Sequence, residues 1–189
     1  MRKKEHDVNE TFINRWSPRA MSGENIADEE LLTLFEAARW APSCFNEQPW
    51  RFIYAKRDTD SWNKLFNLLS EGNKVWTKNA SVLAVVISSK VFKHNNKPNV
   101  THSYDTGAAW ENLALQGSLK GLVVHGMGGF DYVKARELLG LSDEYNVEAM
   151  LAIGKPGKKE DLPEQLQERE FPSDRRQISE SFFELSRWK

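Results

Sequence analysis

Hydrophobic and polar positions recur along the chain with periods that predict helices and strands in alternation. Two early segments carry apolar residues at the spacing of one helical face, namely Leu31, Leu34, Phe35 and Ala38, and then Trp62, Leu65, Phe66 and Leu69. Acids at residues 28–30 precede the first segment, where the helix dipole favours negative charge. Gly72 is expected to end the second helix, and a shorter helix is expected over roughly residues 8–14.

Runs of consecutive apolar residues predict the strands. Residues 81–89 are nearly all apolar and β-rich, so they predict a strand covered on both faces. Shorter apolar runs occupy residues 51–55, 122–124 and 147–153. Because helices and few strands alternate, the pattern predicts one α/β or α+β domain over residues 1–189, with helices covering a central sheet.

Two later helices are also predicted. Residues 104–120 form a long helical segment that Gly121 ends, and Asp131 begins a helix that reaches Leu139 before Gly140. The long helix carries small residues on several sides, namely Gly107, Ala108, Ala109, Ala114 and Gly117. Such residues suggest close packing against another helix or against a subunit.

The C-terminal part of the chain has a different character. Residues 158–176 are charged, interrupted by prolines and poor in apolar residues, so they are expected to add little to a compact monomer. Apolar residues follow, namely Ile178, Phe182, Phe183, Leu185 and Trp188. A polar arm with an apolar end is typical of a segment that reaches across to a partner surface.

Composition and charge exclude several classes of protein. The chain of 189 residues is 40% hydrophobic and 28% charged, which is typical of a folded protein. A net charge of −1 gives no general drive toward nucleic acid or an anionic membrane. A single cysteine, Cys44, excludes an intrachain disulfide and a Cys-based zinc site. The longest apolar run, residues 82–87, is too short to span a bilayer, and the N-terminus lacks an apolar signal core, so a cytoplasmic location is expected.

Residues 41–50, A-P-S-C-F-N-E-Q-P-W, are the most informative stretch. Two prolines stop the preceding helix from continuing. The hydroxyl and two carboxamides between them both donate and accept hydrogen bonds, which suits recognition of a flat heteroaromatic ring. The alternative is an ordinary polar loop whose Asn and Gln face water.

Arginines provide a candidate anion site. Residues 15–19, R-W-S-P-R, can hold a phosphate because guanidinium groups bind its oxygens bidentately, although a solvated surface turn is equally compatible. Arg175 and Arg176 alone indicate a surface pair. If they meet Arg15 in space, the cluster needs an anion to offset its repulsion.

Other motifs carry less chemistry. Glycines at 126, 128 and 129 allow a ligand to approach the backbone closely, or form a tight turn, and match neither the dinucleotide-binding nor the Walker A pattern. No metal-ligand spacing links the histidines, which are His6, His94, His102 and His125. No G-x-S-x-G motif is present, and no base adjoins Cys44 in the sequence. The sequence therefore predicts no metal site and nominates no catalytic residue.

Taken together, these segments resemble the nitroreductase family of FMN-dependent oxidoreductases over most of the chain. Residues 15–19 are similar to that family's R-x-S-x-R opening, and residues 31–50 contain a close match to its A-x-x-A-P-S-x-x-N-x-Q-P-W pattern. Residues 105–113 look like its long central helix, and Asn73 is similar to an asparagine that touches the flavin in some members. The chain is short for the family and lacks the long insertions that form substrate lids in some subgroups.

The resemblance implies an α+β fold with a central, mostly antiparallel sheet covered by helices. It also implies a homodimer that holds FMN at its interface, with the C-terminal arm swapped between subunits. One subunit would contribute Arg15, Trp16, Ser17, Arg19, Asn73, Met127, Gly128, Gly129, and Arg175 or Arg176. The second subunit would contribute Pro42, Ser43, Phe45, Asn46 and Gln48.

Roles follow for some of these residues. The resemblance implies that Arg15 and Arg19 bind the FMN phosphate or the polar edge of the ring, and that Asn73 meets its pyrimidine side. Residues 127–129 would lie near its reactive side and donate backbone N–H groups. Gln177 stands where many members have a proline-bearing run, which leaves open whether Arg175 or Arg176 reaches the phosphate.

The implied activity is transfer of hydride from NADH or NADPH through flavin N5 to a small planar acceptor, such as a nitroaromatic or a quinone, in alternating half-reactions. A non-enzymatic flavin-binding or redox-sensing protein on the same fold is the alternative. A structural dimer without a cofactor is a third possibility.

Overall fold

A four-stranded antiparallel sheet forms the centre of residues 2–188, the part of the chain that this computed structural model describes. The strands are β1 Trp50–Lys56, β2 Val82–Ser89, β3 Val123–Met127 and β4 Tyr145–Gly154. Their spatial order is β1-β2-β4-β3, so β2 and β4 are central while β1 and β3 form the edges. The predicted mixed fold with a mostly antiparallel sheet is confirmed.

Helices cover both faces of the sheet. They are α1 Glu10–Asn14, α2 Asp28–Arg39, α3 Asp60–Phe66, α4 Glu71–Thr77, α5 His102–Leu119, α6 Tyr132–Leu138 and α7 Glu164–Gln167. Short 3-10 turns occur at Cys44–Asn46, Lys159–Asp161, Ile178–Glu180 and Leu185–Arg187. None of the helices in residues 2–188 is both long enough and apolar enough to cross a membrane.

The central strand β2 explains why its sequence is apolar at nearly every position. Alternate side chains point to opposite faces of a strand. Leu83, Val85 and Ile87 belong to the core on one face, together with Trp62 and Trp76. Val82, Ala84 and Val86 belong to the core on the other face, with α2 and α5. Each face of β2 is thus buried by its own hydrophobic cluster.

The small residues of α5 allow close packing within this subunit. Ala109, Leu113 and Ala114 are buried in the same cluster as Leu34 of α2, which confirms the predicted helix–helix packing. At the C-terminal end of α5, a Cβ added to Gly117 would lie 2.5 Å from Cγ2 of Val124. The chain therefore needs glycine where α5 crosses β3.

One predicted boundary is wrong. Gly72 does not end the helix predicted around residues 62–69, because α3 already ends at Phe66 and Gly72 lies in the first turn of α4. Leu69 lies between the two helices and forms an isolated β-bridge with Phe130. Asp131 does begin α6, since its side chain accepts a hydrogen bond from the N–H of Lys134 at 3.0 Å.

The last residues of the chain lie against its first ones. We call residues 171–188 the C-terminal arm. Nε of Arg2 donates to the carbonyl of Ser173 at 2.8 Å, and the N–H of Ile178 donates to the carboxylate of Glu5. The preceding segment is anchored more firmly than its composition predicts, because Leu162 and Glu170 are buried. The apolar side chains of the arm remain exposed, with Leu185 at 86%.

Candidate functional site

A cavity of about 390 Å³ gathers arginines from both ends of the chain. We call it the cationic cavity. The arginines that line it are Arg2, Arg15, Arg19, Arg169 and Arg175. The other lining residues are Trp16, Ser17, His125, Glu168, Phe171 and Ser173. Five of the predicted site residues, Arg15, Trp16, Ser17, Arg19 and Arg175, are therefore brought together here.

Arg2 ties three segments of this cavity together. Its guanidinium donates to the carbonyl of Arg15 at 2.7 Å, to the carbonyl of Ile13, and to Ser173 of the C-terminal arm. Burial, followed by the charges of Arg175 and Arg15, lowers the pKa of Arg2. Like charges this close repel one another, and a bound anion would relieve that repulsion.

Acidic groups compensate only part of this charge. Arg15 pairs with Glu111 at 3.4 Å, and Arg19 pairs with Glu170 at 3.7 Å. Within residues 2–188, no carboxylate lies within salt-bridge distance of Arg2, Arg169 or Arg175. The cavity therefore keeps an excess of positive charge.

Glu170 fixes the position of the segment that carries Arg19. Its Oε1 accepts hydrogen bonds from the N–H groups of Arg19 at 2.7 Å and Ala20 at 2.9 Å. Its Oε2 is buried and has no hydrogen-bond partner in the described part of the chain. A buried carboxylate thus holds both the backbone and the charge of Arg19 at the cavity wall.

His125 joins β3 to the same segment. Because a carbonyl only accepts, Nδ1 of His125 carries a proton and donates it to the carbonyl of Pro18 at 2.8 Å. The imidazole also packs against Trp76, with ring centroids 4.5 Å apart. Burial lowers the pKa of His125, and the charge of Arg19 lowers it further, against the opposing effect of the Pro18 hydrogen bond. The imidazole is therefore neutral near pH 7.

A second cavity, of about 380 Å³, begins one residue further along β3. We call it the apolar cavity. Its lining residues are Val86, Ser103, Thr106, Gly107, Trp110, Gly126, Met127, Gly128, Glu148 and Ala149. A Cβ added to Gly126 would lie 3.1 Å from Cζ2 of Trp110, so the indole lies directly on the backbone of the edge strand. The adjacent residues His125 and Gly126 thus line different cavities.

The glycine turn after β3 brings Asn73 to the same edge of the sheet. Nδ2 of Asn73 donates to the carbonyl of Gly129 at 2.9 Å. A Cβ added to Gly129 would lie 2.8 Å from this Nδ2 and 2.9 Å from Oγ of Ser70. Met127 is buried, whereas Gly128 and Gly129 are exposed. The turn therefore presents open backbone next to an amide side chain.

The predicted site residues between α2 and β1 lie elsewhere. Among the residues described, the set Pro42, Ser43, Phe45, Asn46 and Gln48 lines neither cavity. Cys44 donates its N–H to Asp105 at 3.0 Å, which fixes the loop on the start of α5. Phe45 is 84% exposed and contacts Phe92 edge-on at 5.8 Å.

This loop is strained. Phe45, Asn46 and Gln48 have φ values of 52°, 56° and 52°, in the left-handed region that favours glycine. Such non-glycine residues cost about 1–3 kcal/mol each and occur preferentially at functional sites. The N–H of Gln48 donates to Oγ of Ser43 at 3.0 Å, which helps to hold this backbone.

The two late arginines differ in one respect. Arg175 lines the cationic cavity and Arg176 does not, although both line a neighbouring groove with Lys3, Glu5 and Ile178. Sequence reasoning did not identify Arg2, Arg169, His125 or Glu170 as site residues. The strand pattern around 122–124 could have placed His125 on β3, but nothing in the sequence pairs Glu170 with Arg19, which lies 151 residues earlier. Residues 2–188 contain no cluster of three His, Cys, Asp or Glu side chains suited to a metal ion.

Comparisons with known proteins match the part of the chain that forms the sheet. The sequence matches the model described as "Nitroreductase family" over residues 13–86 and 62–155. Over 157 residues it is 32% identical to a protein of Archaeoglobus fulgidus named "Putative NADH dehydrogenase/NAD(P)H nitroreductase". The match covers 81% of this chain and 87% of that protein.

Solved structures show the same fold. A crystal structure described as "the oxidoreductase containing FMN" is 46% identical, with a TM-score of 0.93, and the match covers 97% of this chain and 94% of that one. A nitroreductase family protein from Streptococcus pneumoniae TIGR4 has a TM-score of 0.73 at 19% identity, over 93% of this chain and 98% of that one.

Proposed function

The chain belongs to the nitroreductase family, and on this premise we propose that it is an FMN-dependent oxidoreductase that takes electrons from NADH or NADPH. The similar crystal structure described as containing FMN supports the cofactor, and the name of the Archaeoglobus fulgidus relative supports the electron donor. The cationic cavity is the observation in this chain that carries the proposal.

The residues of the cationic cavity fit the phosphate of FMN. Three of its arginines have no carboxylate partner in residues 2–188, so a phosphate dianion would neutralise charge that the protein leaves uncompensated. Arg15, Arg19 and Arg175 would bind the phosphate oxygens through charge-assisted hydrogen bonds, and the hydroxyl of Ser17 would donate another. Arg2 would hold these groups in place through its three carbonyl contacts.

The edge of the sheet fits the flavin ring. Asn73 would meet the polar pyrimidine side, while the backbone of residues 127–129 would donate hydrogen bonds near the reactive side. Gly128 and Gly129 are exposed and have no side chain, so a ring could approach their backbone closely. A Cβ at Gly129 would also collide with Asn73. When bound, FMN would accept hydride at N5 from the nicotinamide and pass it to a planar acceptor such as a nitroaromatic or a quinone.

A homodimer would complete the site. The loop from Pro42 to Gln48 is strained and lies away from both cavities of its own subunit, which supports its assignment to the FMN of a second copy. The exposed apolar side chains of residues 178–188 support a swap of this end of the arm across that interface, while residues 171–175 stay at the cationic cavity of their own subunit. The left-handed backbone of the loop would already place Phe45 and Asn46 for contact before the partner subunit and its cofactor bind.

An absorbance spectrum of the purified protein, followed by anaerobic titration with NADH and with NADPH, tests the proposal. We expect a flavin spectrum that bleaches on addition of at least one nicotinamide and returns on addition of menadione or a nitroaromatic. A colourless protein that gains no flavin absorbance when FMN is added would overturn the proposal. Bound flavin that neither nicotinamide reduces would instead favour a non-enzymatic flavin protein.

A further inference from the structure

The loop between α2 and β1 carries two strained residues between two anchored ones. Phe45 and Asn46 have φ values of 52° and 56°. Cys44 precedes this pair and Glu47 follows it. Non-glycine residues keep such backbone angles only where the surrounding structure holds them. The contacts of Cys44 and Glu47 therefore decide whether the loop retains its shape.

The anchor before the strained pair is a backbone contact with the start of α5. The N–H of Cys44 donates to the carboxylate of Asp105 at 3.0 Å. Asp105 is 4% exposed, and it also accepts a hydrogen bond from Oγ1 of Thr101 at 3.0 Å. These polar groups are buried and satisfy one another, so this anchor is part of the folded core.

The anchor after the strained pair is a side chain, that of Glu47. Its Oε1 accepts a hydrogen bond from the N–H of Lys93 at 2.8 Å, and its Oε2 lies 3.6 Å from Nδ1 of His94. The Glu47 side chain is 13% exposed, so water competes little for the hydrogen bond. One carboxylate thus joins the loop to a segment 46 positions further along the chain.

Lys93 is a firm attachment point because it lies in a closed turn. We call residues 90–99 the 90–99 turn. The N–H of Asn99 donates to the carbonyl of Lys90 at 2.8 Å, which closes the turn at its base. The N–H of Lys90 donates to the carbonyl of Glu144 at 2.7 Å, directly before β4. The turn is therefore fixed on the central sheet.

The 90–99 turn also provides the aromatic neighbours of Phe45. The centroid of the Phe45 ring lies 5.8 Å from that of Phe92 and 6.4 Å from that of His94, both in edge-on contact. Phe92 and His94 are themselves 5.5 Å apart, so the three rings form one cluster. Because Phe45 is nevertheless highly exposed, the cluster directs its ring without covering it.

We propose that Glu47 is a positioning residue, which holds Phe45 and Asn46 in the shape that receives the flavin of a second copy by accepting the hydrogen bond from Lys93. The inference rests on the proposed function, in which Phe45 and Asn46 contact that flavin. Glu47 acts through the loop and not by contact with the cofactor. Without its carboxylate the strained pair relaxes, and the loop keeps the receiving shape only part of the time. The apparent Kd for FMN then rises as the inverse of that fraction.

Titration of the FMN-free dimer with FMN, followed by fluorescence quenching, tests the inference. A loop that keeps its shape about a tenth of the time would bind FMN about tenfold more weakly, and this is the effect expected for Glu47→Ala. Glu47→Gln keeps an oxygen that accepts from Lys93, so it should restore most of the affinity. Glu144→Ala, at an exposed glutamate beside the 90–99 turn, is the matched control and should bind FMN as the wild type does.

Urea unfolding and hydrogen exchange of the FMN-free proteins separate positioning from general stability. In Glu47→Ala the released strain offsets much of the lost hydrogen bond, so the urea midpoint should move little. Hydrogen exchange should accelerate at the N–H groups of residues 46–48, which bond within the loop. A residue that only stabilised the fold would lower the midpoint and leave the FMN affinity of the folded protein unchanged, which would overturn the inference.

Equal losses of affinity in Glu47→Ala and Glu47→Gln would also overturn the inference, since they remove the role of the Lys93 hydrogen bond. Unchanged hydrogen exchange at residues 46–48 contradicts the positioning role whether or not FMN binds. The wild type is titrated first, which separates the two proposals. A wild type that binds no FMN contradicts the proposed function. A wild type that binds FMN no more tightly than Glu47→Ala contradicts only the positioning role.

Discussion

At the scale of single residues, Arg175 and Arg176 show how neighbours in sequence take different positions. Both line a groove beside Lys3 and Glu5, but only Arg175 also lines the cationic cavity with Arg15 and Arg19. The sequence leaves open which arginine would reach a phosphate, and the proposal assigns that role to Arg175 because it lines the cationic cavity.

Arg175→Ala should weaken FMN binding by about tenfold to a hundredfold, because it removes a charge-assisted hydrogen bond to phosphate worth roughly 1.5–3 kcal/mol. Arg176→Ala should change the affinity much less. Quenching of FMN fluorescence during titration with the flavin-free protein measures both dissociation constants. The assignment fails if Arg176→Ala has the larger effect.

His125 should make the stability of the protein depend on pH. Burial holds the pKa of the folded-state imidazole below its ordinary value, so the unfolded chain takes up a proton at higher pH than the folded chain. The free energy of unfolding should therefore fall as the pH falls from roughly 7 toward 5. His125→Asn can still donate to the Pro18 carbonyl but cannot titrate, and should show a shallower decline.

Urea unfolding of both proteins at several pH values measures this difference, and NMR titration of the imidazole measures the pKa itself. Parallel pH profiles for the wild type and His125→Asn, or an imidazole that titrates at its ordinary pKa, would contradict the assigned role of burial.

At the scale of elements, packing decides where helices and strands end. The apolar run of β2 and the small residues of α5 could be read from the sequence, because burial on two faces and close helix packing leave direct patterns. The predicted helix end at Gly72 was wrong, since a glycine that ends a helix and a glycine in the first turn of the next helix cannot be distinguished in the sequence. Leu69, in the segment between α3 and α4, pairs with Phe130, and the sequence around residue 69 gives no sign of that contact.

Gly117→Ala should destabilise the protein by about 1–3 kcal/mol, because the new methyl group would lie 2.5 Å from Val124 in a packed interface. Gly107 provides a control in the same helix, since no atom of the described chain lies within 4 Å of an added Cβ there. Gly107→Ala should be neutral or stabilise by up to about 1 kcal/mol through helix propensity. Urea unfolding monitored by circular dichroism compares the two, and equal effects would show that propensity, not contact with Val124, governs α5.

At the scale of the whole molecule, the order of the strands and the composition of the cavities could not be predicted from the sequence. Helical and strand periodicity indicate elements but do not say which strands pair. Arg15 and Arg19 were identified because they stand in one short motif. Arg2, Arg169 and Glu170 were missed because only the folded chain brings them to that motif.

Deletion of residues 178–188 should weaken both the proposed homodimer and its retention of FMN. This segment carries apolar side chains that are exposed in the single subunit, among them Phe182 and Leu185. Burying them against a second copy would contribute roughly 25 cal/mol per Å². Sedimentation equilibrium measures the dimer dissociation constant, and the flavin spectrum measures FMN occupancy. An unchanged dimer constant would contradict the proposed swap.

The contact of Arg2 with Ser173 also has a consequence for the order of folding. The two residues are 171 positions apart in the sequence. Contacts between residues so far apart in sequence form late in folding. The sheet can therefore assemble before the cationic cavity is complete, and capture of the proposed cofactor should follow the docking of the C-terminal arm on Arg2. Supplying FMN during refolding would then gain little over adding it to the folded protein.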